Sequence, residues 1–135
     1  MQIYNLEQVE SLPNDMDNEC IDLCNTLNRL PHIHTFESCM GHGKQPFWVF
    51  FKCTDINELS RLGRAVFGNY SDGNWEIVVD SCDTKPLGNF WLRTKTILPD
   101  EELNKSINEL IENILYWCKD EFDDYFNLDD YHKLA

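Results

Sequence analysis

The chain has 135 residues, 42% of them hydrophobic and 13% aromatic, the size of one domain with a packed core. Its net charge is −13, with 24 acidic against 11 basic side chains. That balance repels a phosphate backbone over most of the surface and argues against general nucleic-acid binding. No run of about 18 apolar residues occurs, which excludes a transmembrane helix. Met1 to Glu7 lack the basic and apolar regions of a secretory signal, so a cytoplasmic setting is expected.

The first helix is expected over residues 13–30. Pro13 suits a first turn, Asp15 and Asp17 suit the positive end of the dipole, and Pro31 stops the segment. Met16, Cys20, Leu23, Cys24 and Leu27 recur at helical spacing and form a core stripe. Two strands follow, near 32–39 and 46–53, joined by a glycine turn. A second helix runs over 55–67, with Asp55 as its N-cap and Glu58 three residues on. Ile56, Leu59, Leu62, Val66 and Phe67 make its apolar face.

Turn chemistry at Gly68-Asn69 and Ser71 to Asn74 leads to a strand over 75–80. Residues 81–88 read as a loop and 90–95 as a strand. The last helix starts near Pro99, with Asp100, Glu101 and Glu102 in its first turn, and extends to about residue 122. Its stripe is Leu103, Ile107, Leu110, Ile111, Ile114, Leu115 and Cys118. An acidic, aromatic tail closes the chain over 120–135.

The order is α-β-β-α-β-β-α. Short β-β connections imply antiparallel hairpins, giving a single α+β domain over 1–135 with helices packed on one sheet face. The other face is expected to carry Glu76, Asp80, Trp91, Arg93 and Lys95. The six cysteines are spread over helices and strand ends, the pattern of reduced core thiols rather than of a disulfide framework.

The segment Glu37-Ser38-Cys39-Met40-Gly41-His42-Gly43-Lys44 places a hydroxyl, a thiol, an imidazole, two glycines and an ammonium at one strand-to-strand turn. Such a turn can offer backbone amides as an anion nest, with Ser38, Gly41, His42, Gly43 and Lys44 around a phosphate or carboxylate and Cys39 close by. It lacks the spacing of a Walker loop. Arg93 joins the ligand-binding set if its strand faces the turn. Cys39 and His42 are the candidates for thiol chemistry. His32, His34, Cys39 and His42 are the alternative as zinc ligands, though no paired Cys knuckles support a metal. Trp48, Trp75 and Trp91 are divided between a base-stacking platform and core packing.

Residues 27–43, from Leu27-Asn28-Arg29-Leu30-Pro31-His32 to Cys39-Met40-Gly41-His42-Gly43, resemble a group of small phage and prophage proteins with an E-S-C-x-G-H-G turn. The likeness covers about the first 53 residues and implies no activity. A looser similarity, through Thr35, Ser38, Cys39 and Gly41, is to the wybutosine-synthesising tRNA methyltransferase family, with His42 where that family has Arg. It implies a similar strand-turn-strand site. The expected function is binding of a phosphate-bearing or nucleotide-like ligand at Ser38–Lys44. The alternatives are an acidic interaction protein acting on a host protein partner, and a methyltransferase-like enzyme. No cofactor is indicated.

Overall fold

The computed structural model describes residues 18–39, 44–68 and 71–119. Expectations for Pro13 to Asp17, for Gly41, His42 and Gly43, and for the acidic tail over 120–135 lie outside the described residues. Seven elements follow the expected order: α1 (Asn18–Asn28), β1 (Ile33–Cys39), β2 (Trp48–Cys53), α2 (Ile56–Phe67), β3 (Trp75–Cys82), β4 (Gly88–Thr94) and α3 (Asp100–Trp117). The four strands form one antiparallel sheet in the order β1-β2-β4-β3. Two hairpins therefore meet along β2 and β4, and α2 carries the chain past β4 to reach β3.

The core lies between the helices and one sheet face. Alternation along the strands turns Ile33, Val49, Phe51, Cys53, Trp75, Phe90 and Leu92 inward, all fully or almost fully buried. They meet Cys20, Leu23, Cys24 and Leu27 of α1, Leu62, Ala65 and Val66 of α2, and the whole predicted stripe of α3 from Leu103 to Cys118. Each large side chain buried this way contributes roughly 1.5–3 kcal/mol.

Polar contacts fix how the layers join. The Asn28 amide at the end of α1 clasps Thr35 of β1: its Nδ2 donates to Oγ1 at 2.7 Å, and the Thr35 amide donates to Oδ1 at 2.9 Å. Both residues are buried. On the far side, the Trp75 indole donates to Ser106 Oγ at 2.8 Å, and Ser106 donates to Asp72 at 2.6 Å, tying the β3 entrance to α3.

Several boundaries differ from expectation, most of them by one or two residues at strand or helix ends. Ser81 and Cys82 extend β3 beyond a bulge between Val79 and Ser81, and Gly88 and Asn89 open β4 opposite them. Gly88 is required there, since a Cβ would stand 2.1 Å from the Ser81 carbonyl oxygen. Helix α3 stops at Trp117, with Cys118 as its C-cap. On α2, Ile56 and Phe67 are more than half exposed rather than part of the apolar face. Among the described residues no helix is long and apolar enough to cross a membrane.

Candidate functional site

The sheet face turned away from the helices carries a row of rings. His34 and Phe36 come from β1, Trp48 and Phe50 from β2, and Trp91 from β4. Adjacent ring centroids lie 5.6 Å (His34–Phe36), 5.7 Å (Phe36–Phe50), 4.6 Å (Phe50–Trp91) and 5.1 Å (Trp48–Trp91) apart. These are ordinary edge and tilted aromatic contacts, yet the rings are only partly covered, and Phe36 is 47% exposed. Cations stand at both ends. Lys52 pairs with His34 and Asn89 in the register, while Arg93 pairs with Trp48 and Glu76. Of the three strand tryptophans, Trp75 is core, meeting Phe47 edge-on at 5.5 Å, whereas Trp48 and Trp91 belong to this row.

Of the expected outer-face residues, Glu76, Trp91 and Arg93 are there together. Arg93 Nε lies 3.6 Å from Glu76, with both side chains open to solvent, an ion pair of small energetic weight. The Trp91 indole donates to Asp80 at 3.4 Å. Lys95 lies past the end of β4, exposed, its amide donating to the Asn74 carbonyl.

The residues of the glycine turn divide. Cys39 closes β1 opposite Trp48, so Cys39, Trp48, Arg93 and Glu76 form one line across four strands. Arg93 thus shares the end of the sheet at which the turn connects β1 and β2. Lys44 is exposed as the chain leaves the turn. Ser38 points the other way, accepting a hydrogen bond from the Cys20 thiol at 3.5 Å on α1. The Cys20 thiol beside it, and then burial, hold the Cys24 thiol well above the usual thiol range.

The two described histidines of the metal alternative, His32 and His34, separate. His34 joins the aromatic row. His32 instead lies against the N-terminus of α2, its Nδ1 2.7 Å from Glu58 Oε2, while its backbone amide donates to Glu58 Oε1 at 2.9 Å. Glu58 is fully buried, so its polar oxygens require these partners. Asp55 caps α2 as expected, accepting from the Glu58 amide at 3.1 Å. The carboxylate of Glu58 does not close a capping box; it turns inward to His32. Among the described residues His32, Asp55 and Glu58 are the group with clustered donor atoms, within 4.8 Å of one another. Their hydrogen bonds to each other account for that clustering.

A cavity of about 490 Å³ opens beside the aromatic row, lined by Phe36, Lys52, Cys82, Asp83, Leu87 and Asn89. Sequence reading did not assemble this row, because Phe47 to Phe51 is apolar without a break. The usable signal was Lys52: a cation turned outward gives the same parity to Phe50 and Trp48. No family model, curated protein or solved structure matches this chain, so the functional reading rests on its own geometry.

Proposed function

We propose that the protein binds a nucleotide-like small molecule across the open sheet face. The base stacks on Phe50, Trp91 and Trp48, and the phosphate lies toward Arg93 and the Ser38–Lys44 turn. The aromatic row carries this reading, since five partly exposed rings in mutual contact, on a face that no helix covers among the described residues, have no core to fill. Stacking of a base on such a ring contributes roughly 1–3 kcal/mol. Arg93 and Lys44 supply charge-assisted donors at one end. The negative surplus of the chain favours a mononucleotide over a polymer. The free thiols, four of the five described being buried, fit a cytoplasmic setting.

Calorimetric titration with adenosine and guanosine monophosphates, S-adenosylmethionine and orthophosphate tests the proposal. A nucleotide is expected to bind more tightly than orthophosphate. Trp91→Leu is expected to weaken it about ten-fold, the loss of one stacking contact. Binding of orthophosphate as tight as that of every nucleotide would remove the base from the reading. No heat and no rise in melting temperature with any of them would end it.

A further inference from the structure

We infer, resting on the open-face reading, that the base bound there is guanine, its Watson–Crick edge held between Lys52 and Asp83 at the end of the face opposite Arg93.

The sheet register fixes which end is which. Arg93 stands beside Trp48, and Asn89 beside Lys52, four residues further along β2, a run of about 13 Å. A nucleotide whose phosphate lies at Arg93 and whose base covers Phe50 therefore turns the far side of that base toward Lys52. In a purine the side away from the glycosidic bond is the Watson–Crick edge, the edge by which proteins read an unpaired base.

That end of the face is a recess. The strands supply Phe36, Lys52 and Asn89 to the cavity of about 490 Å³, and the β3–β4 connection supplies Asp83 and Leu87. Phe36 touches Phe50, with centroids 5.7 Å apart, so the cavity is continuous with the stacking rings. The connection holds Asp83 in place. Its amide donates to the Leu87 carbonyl, and its Oδ1 accepts from the Thr84 amide at 2.7 Å. Neither Lys52 nor Asp83 has an ion-pair partner among the described residues. Asn89, by contrast, is engaged, its Nδ2 donating to Ser81 Oγ at 3.2 Å.

The two charged groups differ in hydrogen-bonding sense. An ammonium only donates and a carboxylate only accepts. Guanine presents the matching pair side by side: O6 accepts, while N1–H and the N2 amino group donate. Adenine inverts both, setting its N6 amino group against the ammonium and its N1 lone pair against the carboxylate. Uracil matches through O4 and N3–H but turns O2 to the carboxylate where guanine has its amino group, and its single ring covers less of the platform. Unmatched donors and acceptors at a binding edge are what separate such ligands.

Calorimetric titration of the full-length protein with guanosine, inosine, adenosine and uridine monophosphates tests this. The guanosine nucleotide is expected to bind about ten-fold or more tighter than the adenosine one. The inosine nucleotide, which lacks only the amino group, should fall between them. Asp83→Asn keeps the oxygen that Thr84 uses but exchanges an acceptor for a donor. It should weaken the guanosine nucleotide about ten-fold and leave the adenosine one as tight or tighter, which also shows that the variant is folded. Lys52→Met should narrow the same preference. Saturating guanosine monophosphate should slow alkylation of Cys82, which also lines the cavity. Equal binding of the guanosine and adenosine nucleotides, both weakened by Trp91→Leu, would overturn guanine and leave the stacking reading standing. No binding by any nucleotide would end both. A guanosine preference untouched by Asp83→Asn and Lys52→Met, or unhindered alkylation of Cys82, would overturn the placement of the base edge in this cavity.

Discussion

Thiol chemistry in this protein is decided residue by residue. Cys20, Cys24, Cys53 and Cys118 are buried, and Cys82 is exposed at the end of β3. Burial is the first cause that pushes the Cys53 thiol from 9.0 to about 11, with the neighbouring Glu58 and Asp55 charges adding to it. The thiolate is the reactive form, so native-state alkylation near neutral pH should label Cys82 and spare these four, as read by peptide mass spectrometry. The pH dependence of stability has a definite sign. The unfolded chain releases the Cys53 proton near 9.0, while the fold retains it up to about 11. This thiol therefore weakens the fold progressively as pH rises through that window, and has no such effect below it. Labelling of Cys53 as fast as Cys82 would show that its surroundings open. Burial of Cys20 and Cys24 was legible as a helical stripe. The place of Cys82 in a strand was not, because residues 81–88 read as a loop.

At the level of elements, the helices were the most legible, since their stripes repeat over several turns. The α3 stripe is buried at every expected position. On α2 the same reasoning erred at Ile56 and Phe67, which lie roughly 120–140° around the helix from Leu62 at 3.6 residues per turn. Two apolar residues at the helix ends were counted into a stripe whose phase excludes them. The pairing that anchors β1 was invisible, because Asn28, His32 and Glu58 find their partners through tertiary contacts. Asn28 clasps Thr35 from α1, and Glu58 of α2 holds the turn just before the strand. Loss of either anchor leaves buried polar groups without partners. Asn28→Ala is expected to cost about 1–3 kcal/mol by strandedness of Thr35. His32→Ala, which leaves Glu58 only a backbone donor, should cost a similar 1–3 kcal/mol or so. Urea denaturation measures both, and a change under a few tenths of a kcal/mol for either would show that its anchor is dispensable. Bulges interrupt both edge strands, β1 between Thr35 and Glu37 and β3 between Val79 and Ser81, which blunts the edges against pairing with another sheet.

The whole molecule sets a local aromatic face against a global excess of negative charge, and the two make different demands on a ligand. The candidate site was legible only in part: the glycine turn and Arg93 stood out as chemistry, but Ser38 faces α1 and the rings that surround Arg93 come from strands far apart in sequence. Only folding brings Phe36, Phe50 and Trp91 into contact. The face by itself would accept the bases of a single strand as readily as one nucleotide. The charge of −13 distinguishes them, since each phosphate beyond the reach of Arg93, Lys44 and Lys52 meets an acidic surround rather than a cation. Salt then separates the cases. A protein that grips several phosphates loses affinity steeply as salt rises, through counterion release. Here screening also removes long-range repulsion, over a Debye length of about 10 Å at 0.1 M. Binding of an oligothymidylate, followed by tryptophan fluorescence, is therefore expected to be weak at low salt and flat or rising as salt increases, while a mononucleotide loses affinity modestly as its contact with Arg93 is screened. The Trp91→Leu variant should reduce both signals, tying them to the same face. A steep loss of oligonucleotide affinity with salt would mean that cations, rather than rings, hold the strand, and would place nucleic-acid binding elsewhere on the molecule.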